Sequence, residues 1–261
     1  MNISITGNLG SGKSTICKRI CEQYGFERYS TGMILRDLAA ERGITLLEMN
    51  ELMKTDSSID RMIDDATTRI SREKIDDKVI FDSRLAWHFA ERTFKIFLTV
   101  SLDEAARRVY NDSRGEVETY ASVEEAKESL RERALTENVR YREFYGIEYF
   151  NLGNYDLVLD STCASPEILT EMFMSAYERY ANEYDKTKEE GKVGGKGEIM
   201  LGIARFLPDA KNDPSNNRVY EGGRIGITSD ENGIELVSGE DVVKAAADAG
   251  CGFVRADLIS R

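Results

Sequence analysis

The chain has 261 residues, 41% hydrophobic and 31% charged, a balance typical of a soluble globular protein and enough for one large domain or a domain plus a small module. A formal charge of −12 argues against a broad nucleic-acid surface, which needs clustered Lys and Arg. No apolar run approaches the roughly 18 residues that cross a bilayer. The four cysteines, Cys17, Cys21, Cys163 and Cys251, form no Cys-x-x-Cys pair, so free thiols in a reducing cytoplasm are expected.

Taken in chain order, the first element is a buried strand from Asn2, with Ile3-Ser4-Ile5-Thr6 as its core. It runs into Gly7-Asn8-Leu9-Gly10-Ser11-Gly12-Lys13-Ser14-Thr15, and Ile16-Cys17-Lys18-Arg19-Ile20-Cys21 follows with apolar residues at helical spacing. Strand, glycine-rich turn and Gly-Lys-Ser opening a helix form the P-loop arrangement. Glycines without Cβ let the backbone wrap an anion, and the wrapped N–H groups and helix N-terminus point at a polyphosphate. Gly7, Asn8, Gly10, Ser11, Gly12, Lys13, Ser14 and Thr15 are the expected nucleotide cradle. Lys13 would reach the β- and γ-phosphates, and Ser14 would place its hydroxyl on Mg²⁺.

Phe26 to Tyr29 reads as a short strand, and Ser30 or Thr31 as the cap of a helix through Ala40. Gly43-Ile44 is a turn, and Leu46 to Met53 and Ser58 to Glu73 read as two more helices. Lys78 to Asp82 is an apolar strand closed by a carboxylate, Phe94 to Val100 another strand, and Leu102 to Tyr110 a helix. After a polar stretch from Asn111 to Thr119, Val123 to about Tyr145 is a long, charge-rich helix. Leu157 to Asp160 is a strand, and Ser165-Pro166-Glu167 opens a helix to about Tyr184. Strands alternating with helices imply a parallel sheet covered on both faces.

Composition then shifts. Residues 185–197 (DKTKEEGKVGGKG) read as a linker. Residues 198–261 read as a small α+β module: a strand over Ile199 to Phe206, a hairpin of 224–228 with 233–237, a helix from Glu240 to Ala249 and a strand from Gly252 to Leu258. No catalytic pattern is visible in this module; the chain is expected to be a monomer, with protein contacts as one role for the tail.

A P-loop says only that a nucleotide binds. A set of arginines narrows it: Arg36 at the end of STGMILR, Arg84 just after the strand-end Asp82, and Arg133 and Arg140, seven apart and so two turns apart on one helix face. Guanidinium groups match phosphate oxygens, and phosphoryl transfer needs positive charge on both phosphates plus a metal. Taken singly, each arginine reads as a surface ion pair; the argument rests on the group and on its placement after strand ends. Asp82 resembles a Walker-B carboxylate that would hold a water on Mg²⁺ or orient the acceptor phosphate, the plainer reading being a helix-capping Asp. The single histidine, His88, reads as a packed or surface residue.

The segments GNLGSGKST, STGMILR, VIFDSRLA, IFLTVSLDEAARRV, RERALTENVRYREFYGI and YDLVLDST follow the layout of nucleoside monophosphate kinases, and the chain from Met1 to about Asn182 most resembles the cytidylate kinase-like branch. The resemblance implies a P-loop NTPase three-layer α/β/α fold over residues 1–184, with a helical NMP-binding segment near 30–75 and a short lid near 112–142. It implies transfer of the γ-phosphoryl of ATP to CMP or dCMP with Mg²⁺, Ser14 and Asp82 serving the metal. By position, Ser30, Thr31, Gly32, Arg36, Asp82 and Arg84 would contact the acceptor, Lys13, Arg36, Arg84, Arg133 and Arg140 would act on the phosphoryl groups, and Arg108 would stack on the ATP base. Met33, Ser83, Trp87 and His88 depart from the usual residues around the acceptor base. Two alternatives stand beside this reading: a kinase for AMP or another small acceptor, and a nucleotide-binding regulatory protein that acts through its tail.

Overall fold

The computed structural model describes residues 1–45, 48–49, 52, 58–111, 120–189, 197–208, 210 and 213–259. Its strands are β1 (Asn2–Gly7), β2 (Glu27–Ser30), β3 (Val79–Asp82), β4 (Thr93–Thr99), β5 (Leu157–Asp160), β6 (Glu198–Gly202), β7 (Val219–Asp230), β8 (Gly233–Ser238) and β9 (Phe253–Leu258). Its helices are α1 (Lys13–Tyr24), α2 (Thr31–Glu41), α3 (Ser58–Glu73), α4 (Ala86–Phe89), α5 (Leu102–Asn111), α6 (Val123–Tyr145), α7 (Pro166–Glu189) and α8 (Glu240–Asp248). All the strands form one sheet in the order β2-β3-β1-β4-β5-β6-β9-β7-β8. The pairings from β2 through β6 are parallel, β9 runs antiparallel to β6, and β8 antiparallel to β7.

The period-2 alternation of side chains sends each central strand into two cores. From β4, Phe94, Ile96 and Leu98 pack with Ile16 and Ile20 of α1 and Leu169 and Phe173 of α7, while Phe97 faces the other way. There it meets Trp87, Tyr141, Tyr149, Tyr155 and Val158. Helices therefore cover both faces of a mostly parallel sheet, the expected three-layer class. None of the described helices is long and apolar enough to cross a membrane, and the cysteines are free thiols.

The structure refines the expected organisation at four places. The 198–261 segment, expected as a small α+β module, continues the sheet: β6 pairs with β5 (Leu157 opposite Glu198 to Leu159 opposite Met200), and the other tail strands extend the sheet from there. Its Ile225, Ile227, Val243 and Val254 share the core of Trp87 and Tyr149. Helix α7 runs to Glu189, through the first residues of the expected linker, because no glycine interrupts the chain before 191; residues 190–196 lie outside the described residues. The strand expected to reach Phe206 ends at Gly202 and gives way to a 3-10 turn, Ile203–Arg205, as Arg205 folds back onto Asp160. Trp87, one of the departures near the acceptor base, is a buried member of α4, its ring 5.2 Å from that of Tyr155, so it builds core, while His88 is exposed. The expected 46–53 helix falls mostly, and the 112–119 part of the lid wholly, outside the described residues.

The shared core predicts that the tail and the preceding residues unfold as one cooperative unit. Ile227 is fully buried against the cluster that contains the single tryptophan. Ile227→Ala should cost about 2–5 kcal/mol and shift the urea midpoint read by Trp87 fluorescence; an unchanged Trp87 midpoint would show that the tail folds apart from the rest.

Candidate active site

The loop after β1 is pinned before it can bind anything. Gly7 has φ +152°, and a Cβ there would collide with the carbonyl oxygen of Leu98, so only glycine lets β1 and β4 approach this closely. Asn8 donates its backbone N–H to Leu98 O at 3.1 Å and accepts from Val100 N–H on its side-chain oxygen at 3.3 Å. Gly12, at φ +80°, turns the chain into α1, and neither a side-chain cap nor an acidic residue stands in the first turn of that helix. In contrast, Ser30 caps α2 through Met33 N–H at 3.3 Å and Ser122 caps α6. The buried Ser11 hydroxyl has no hydrogen-bond partner among the described residues. Uncapped N–H groups and an unsatisfied buried hydroxyl on one loop are donors disposed for an anion. They face a pocket of about 250 Å³ lined by residues 8–15 with Arg84, Arg108, Val109 and Leu130.

Asp82 organises the charge beside this pocket. Its side chain is 5% exposed and pairs with Lys13 Nζ at 3.1 Å. Arg28, from the neighbouring strand β2, donates Nε to Asp82 Oδ2 at 3.0 Å and Nη2 to the same oxygen. Burial opposes the charge of Arg28, but Asp82 outweighs it and raises the guanidinium pKa above its ordinary value. Arg84, two residues on, donates Nη1 to Gly7 O at 2.5 Å and to the Tyr149 hydroxyl at 3.2 Å. Its Nε lies 3.4 Å from Glu137 of α6. Burial again works against the charge, and Tyr149 and Glu137 more than offset it, so Arg84 stays a cation. Arg108 is clamped between Glu104 at 2.7 Å, Gly10 O at 3.2 Å and Ser161 O at 2.6 Å.

The structure thus brings together Gly7 to Thr15, Asp82, Arg84 and Arg108. Ser30 stands opposite Asp82 in the β2–β3 register, with Thr31 and Gly32 opening α2 behind it. Arg36 is exposed on α2 and does not line the pocket. Arg133 is 46% exposed and bonds Glu137 at 3.2 Å, and Arg140 lies over the Tyr141 ring, 5.3 Å from its centroid. Neither lines the pocket. Arg28, Glu137 and Tyr149 are the residues that sequence reasoning missed. Arg28, between Glu27 and Tyr29 in a four-residue strand, carried one usable signal: its strand precedes the STG block.

The helix that carries Arg140 also meets a carboxyl group of α3. Tyr145 at the end of α6 donates its hydroxyl to Asp64 Oδ2 at 2.6 Å, joining α6 to α3. Burial pushes the Asp64 carboxyl up from 3.8 to about 6; the Tyr145 bond lowers it, Asp60 and Asp65 raise it and Arg140 lowers it. Between the ordinary carboxylate pKa and about 6 the folded chain holds a proton that the unfolded chain has lost, so stability falls as pH rises through that window. Asp64→Asn should remove this slope and stabilise the fold above pH 6 by about 1 kcal/mol, solvent screening counted. Thermal melts at acid and neutral pH test it: a gain confined to acid pH would refute the assignment.

Comparison with known proteins gives the family. The sequence model of the cytidylate kinase-like family matches residues 2–163. A cytidylate kinase of Natronomonas pharaonis is 37% identical over 71% of this chain and 94% of its own length. That of Haloarcula marismortui is 35% identical over 72% and 95%. Among solved structures, an uncharacterized protein from Eubacterium ventriosum superposes with a TM-score of 0.51 at 15% identity, covering 67% of this chain and 96% of that one, a likeness of fold alone. The chain, with its phosphate cradle at the end of β1 and its cation-flanked carboxylate at the end of β3, belongs to the cytidylate kinase-like family.

Proposed function

We propose that this protein transfers the γ-phosphoryl group of ATP to CMP or dCMP. The observation that carries the reading is Asp82, held between Lys13 of the phosphate cradle and Arg28 of the β2 ledge that leads to Ser30. One carboxylate thereby joins the place for a donor triphosphate to the place for an acceptor. Cytidylate is the substrate in the names of the relatives, two of them above one-third identical.

The residues fit Mg²⁺ and ATP. The open start of α1 and the Ser11 hydroxyl supply donors for the phosphate chain. No cluster of three metal-ligating side chains exists among the described residues, so the metal would rest on phosphate oxygens with the Ser14 hydroxyl and, through water, Asp82. Bound there, it supplies neutralisation of charge on the transferring group. The acceptor phosphate is anionic at neutral pH and attacks without a strong general base. Lys13 would leave Asp82 for the β- and γ-phosphates. Arg28 and Arg84 would face the acceptor, with Ser30, Thr31, Gly32 and Arg36 completing its pocket. Arg133 and Arg140 would reach the phosphoryl group as α6 closes and water leaves. Catalysis is then positioning and charge neutralisation in a desolvated cleft.

A coupled ADP-release assay with Mg²⁺ across CMP, dCMP, UMP, AMP and dAMP is expected to give the highest kcat/KM with CMP or dCMP; a preference for AMP would move the chain to a different acceptor. Lys13→Ala should abolish transfer while leaving the melting curve in place, and retained turnover would take the P-loop out of the mechanism. Arg36→Ala should raise KM for CMP by about tenfold or more with little change for ATP; an effect on ATP alone would remove Arg36 from the acceptor pocket.

A further inference from the structure

The 198–261 segment reaches the nucleotide site through one side chain. Arg205, in the 3-10 turn after β6, is 8% exposed and makes a two-pronged pair with Asp160: Nε to Oδ2 at 2.7 Å and Nη2 to Oδ1 at 2.9 Å. The same Nη2 reaches Thr162 Oγ1 at 3.3 Å and Thr99 Oγ1 at 3.4 Å. Asp160 is wholly buried at the end of β5 and also accepts from Gly202 N–H at 3.2 Å, Thr162 N–H at 3.0 Å and the Thr162 hydroxyl at 2.5 Å. Burial opposes its charge, yet Arg205 and Thr162 hold its carboxyl below the usual range.

One residue that Asp160 fixes, Thr162, also holds Arg108, which Glu104 anchors from its own helix at 2.7 Å. Arg108 donates Nη2 to Ser161 O at 2.6 Å and to Thr162 O at 3.3 Å, and Nη1 to Ser161 Oγ and to Gly10 O, each at 3.2 Å. Arg108 lines the P-loop pocket. An unbroken run of polar contacts therefore leads from the tail to the glycine loop: Arg205, Asp160, Thr162, Arg108, Gly10. The family match ends at residue 163, before the tail begins.

We propose that Arg205 is a positioning residue for the donor nucleotide, so that the C-terminal segment is a working part of the ATP side of the site. Without Arg205 the buried Asp160 carboxylate loses its counter-charge and must take up a proton or turn towards water. Either change releases Thr162, whose carbonyl oxygen accepts from Arg108 directly after Ser161, and so loosens the loop that aims Arg108. Among the described residues no hydrogen bond joins Asp82, Arg28 or Ser30 to this run, so the acceptor side is left in place. The proposal rests on the P-loop being the ATP cradle.

The test is the split between the two Michaelis constants in the full chain. Arg205→Met should raise KM for ATP by about tenfold or more and change KM for CMP by less than about twofold. Arg205→Lys, which keeps the charge but loses the fork, should recover part of the loss. Arg224→Ala, which breaks an exposed ion pair with Asp257 elsewhere in the same segment, should leave both constants unchanged. Equal rises in the two constants, or no rise in a folded Arg205→Met, would overturn the proposal. Should that variant fail to fold, hydrogen exchange on the wild-type chain decides: ATP is expected to slow exchange at residues 199–206 as well as 8–15, and CMP is not. Slowing at 8–15 without 199–206 refutes the positioning role while keeping the donor site. Slowing at neither segment overturns the donor-site reading itself, and the positioning role with it.

Discussion

The site depends on one buried carboxylate. Asp82 closes β3, and two cations, Lys13 and Arg28, neutralise it from the strands or loops on either side. A charge this deeply buried is tolerable only with opposite charge and hydrogen bonds around it. Its partners come from the start of α1, which the loop after β1 places, and from β2; β1 and β2 are the two neighbours of β3 in the sheet. Adjacent strands are held about 4.8 Å apart by their backbone hydrogen bonds. The separation of the glycine-rich loop from Ser30 is therefore a property of the sheet, and on the proposed function it sets the distance between donor and acceptor. Apart from substrate, Asp82 also serves as a resident counter-ion that keeps Lys13 aimed into the cleft.

A second set of contacts fixes Arg84. Its guanidinium spans Gly7 O, the Tyr149 hydroxyl and Glu137. Tyr149 is fully buried, and its hydroxyl also meets Thr6 Oγ1 at 2.7 Å. A tyrosine with its polar end paired and its ring in the core is a rigid prop for a cation. Glu137 at the same time pairs with Arg133 at 3.2 Å, so α6 is tied to β1 through an alternating run of charges.

The C-terminal segment solves a different problem. With β5 as the last strand, its backbone donors and acceptors would face water beside a bulky aromatic cluster. β6 pairs that edge, and β9, β7 and β8 carry the sheet on to a strand that is largely exposed. The hairpin tip then returns over the core, where Asn138 of α6 donates to Glu231 at 3.0 Å and Ser229 donates to Phe150 O at 2.8 Å. The segment is both an edge cover and a wall next to α6.

The sequence by itself determined what depends on neighbours along the chain. The glycine-lysine-serine loop, the cap at Ser30, the strand ending at Asp82 and the 224–237 hairpin are written in short windows, where backbone permissiveness, capping and side-chain period act locally. The tertiary structure alone decided what depends on residues far apart. Arg28 reads as a surface residue of a short strand until β2 is laid beside β3. Arg205 reads as one more charge in a tail until β6 docks on β5 and delivers it to Asp160, 45 residues earlier. Glu137 and Tyr149 gain their roles only when α6 and the segment after it fold across the sheet. A charge finds its partner through packing, and packing is a property of the whole chain, which no window of sequence contains.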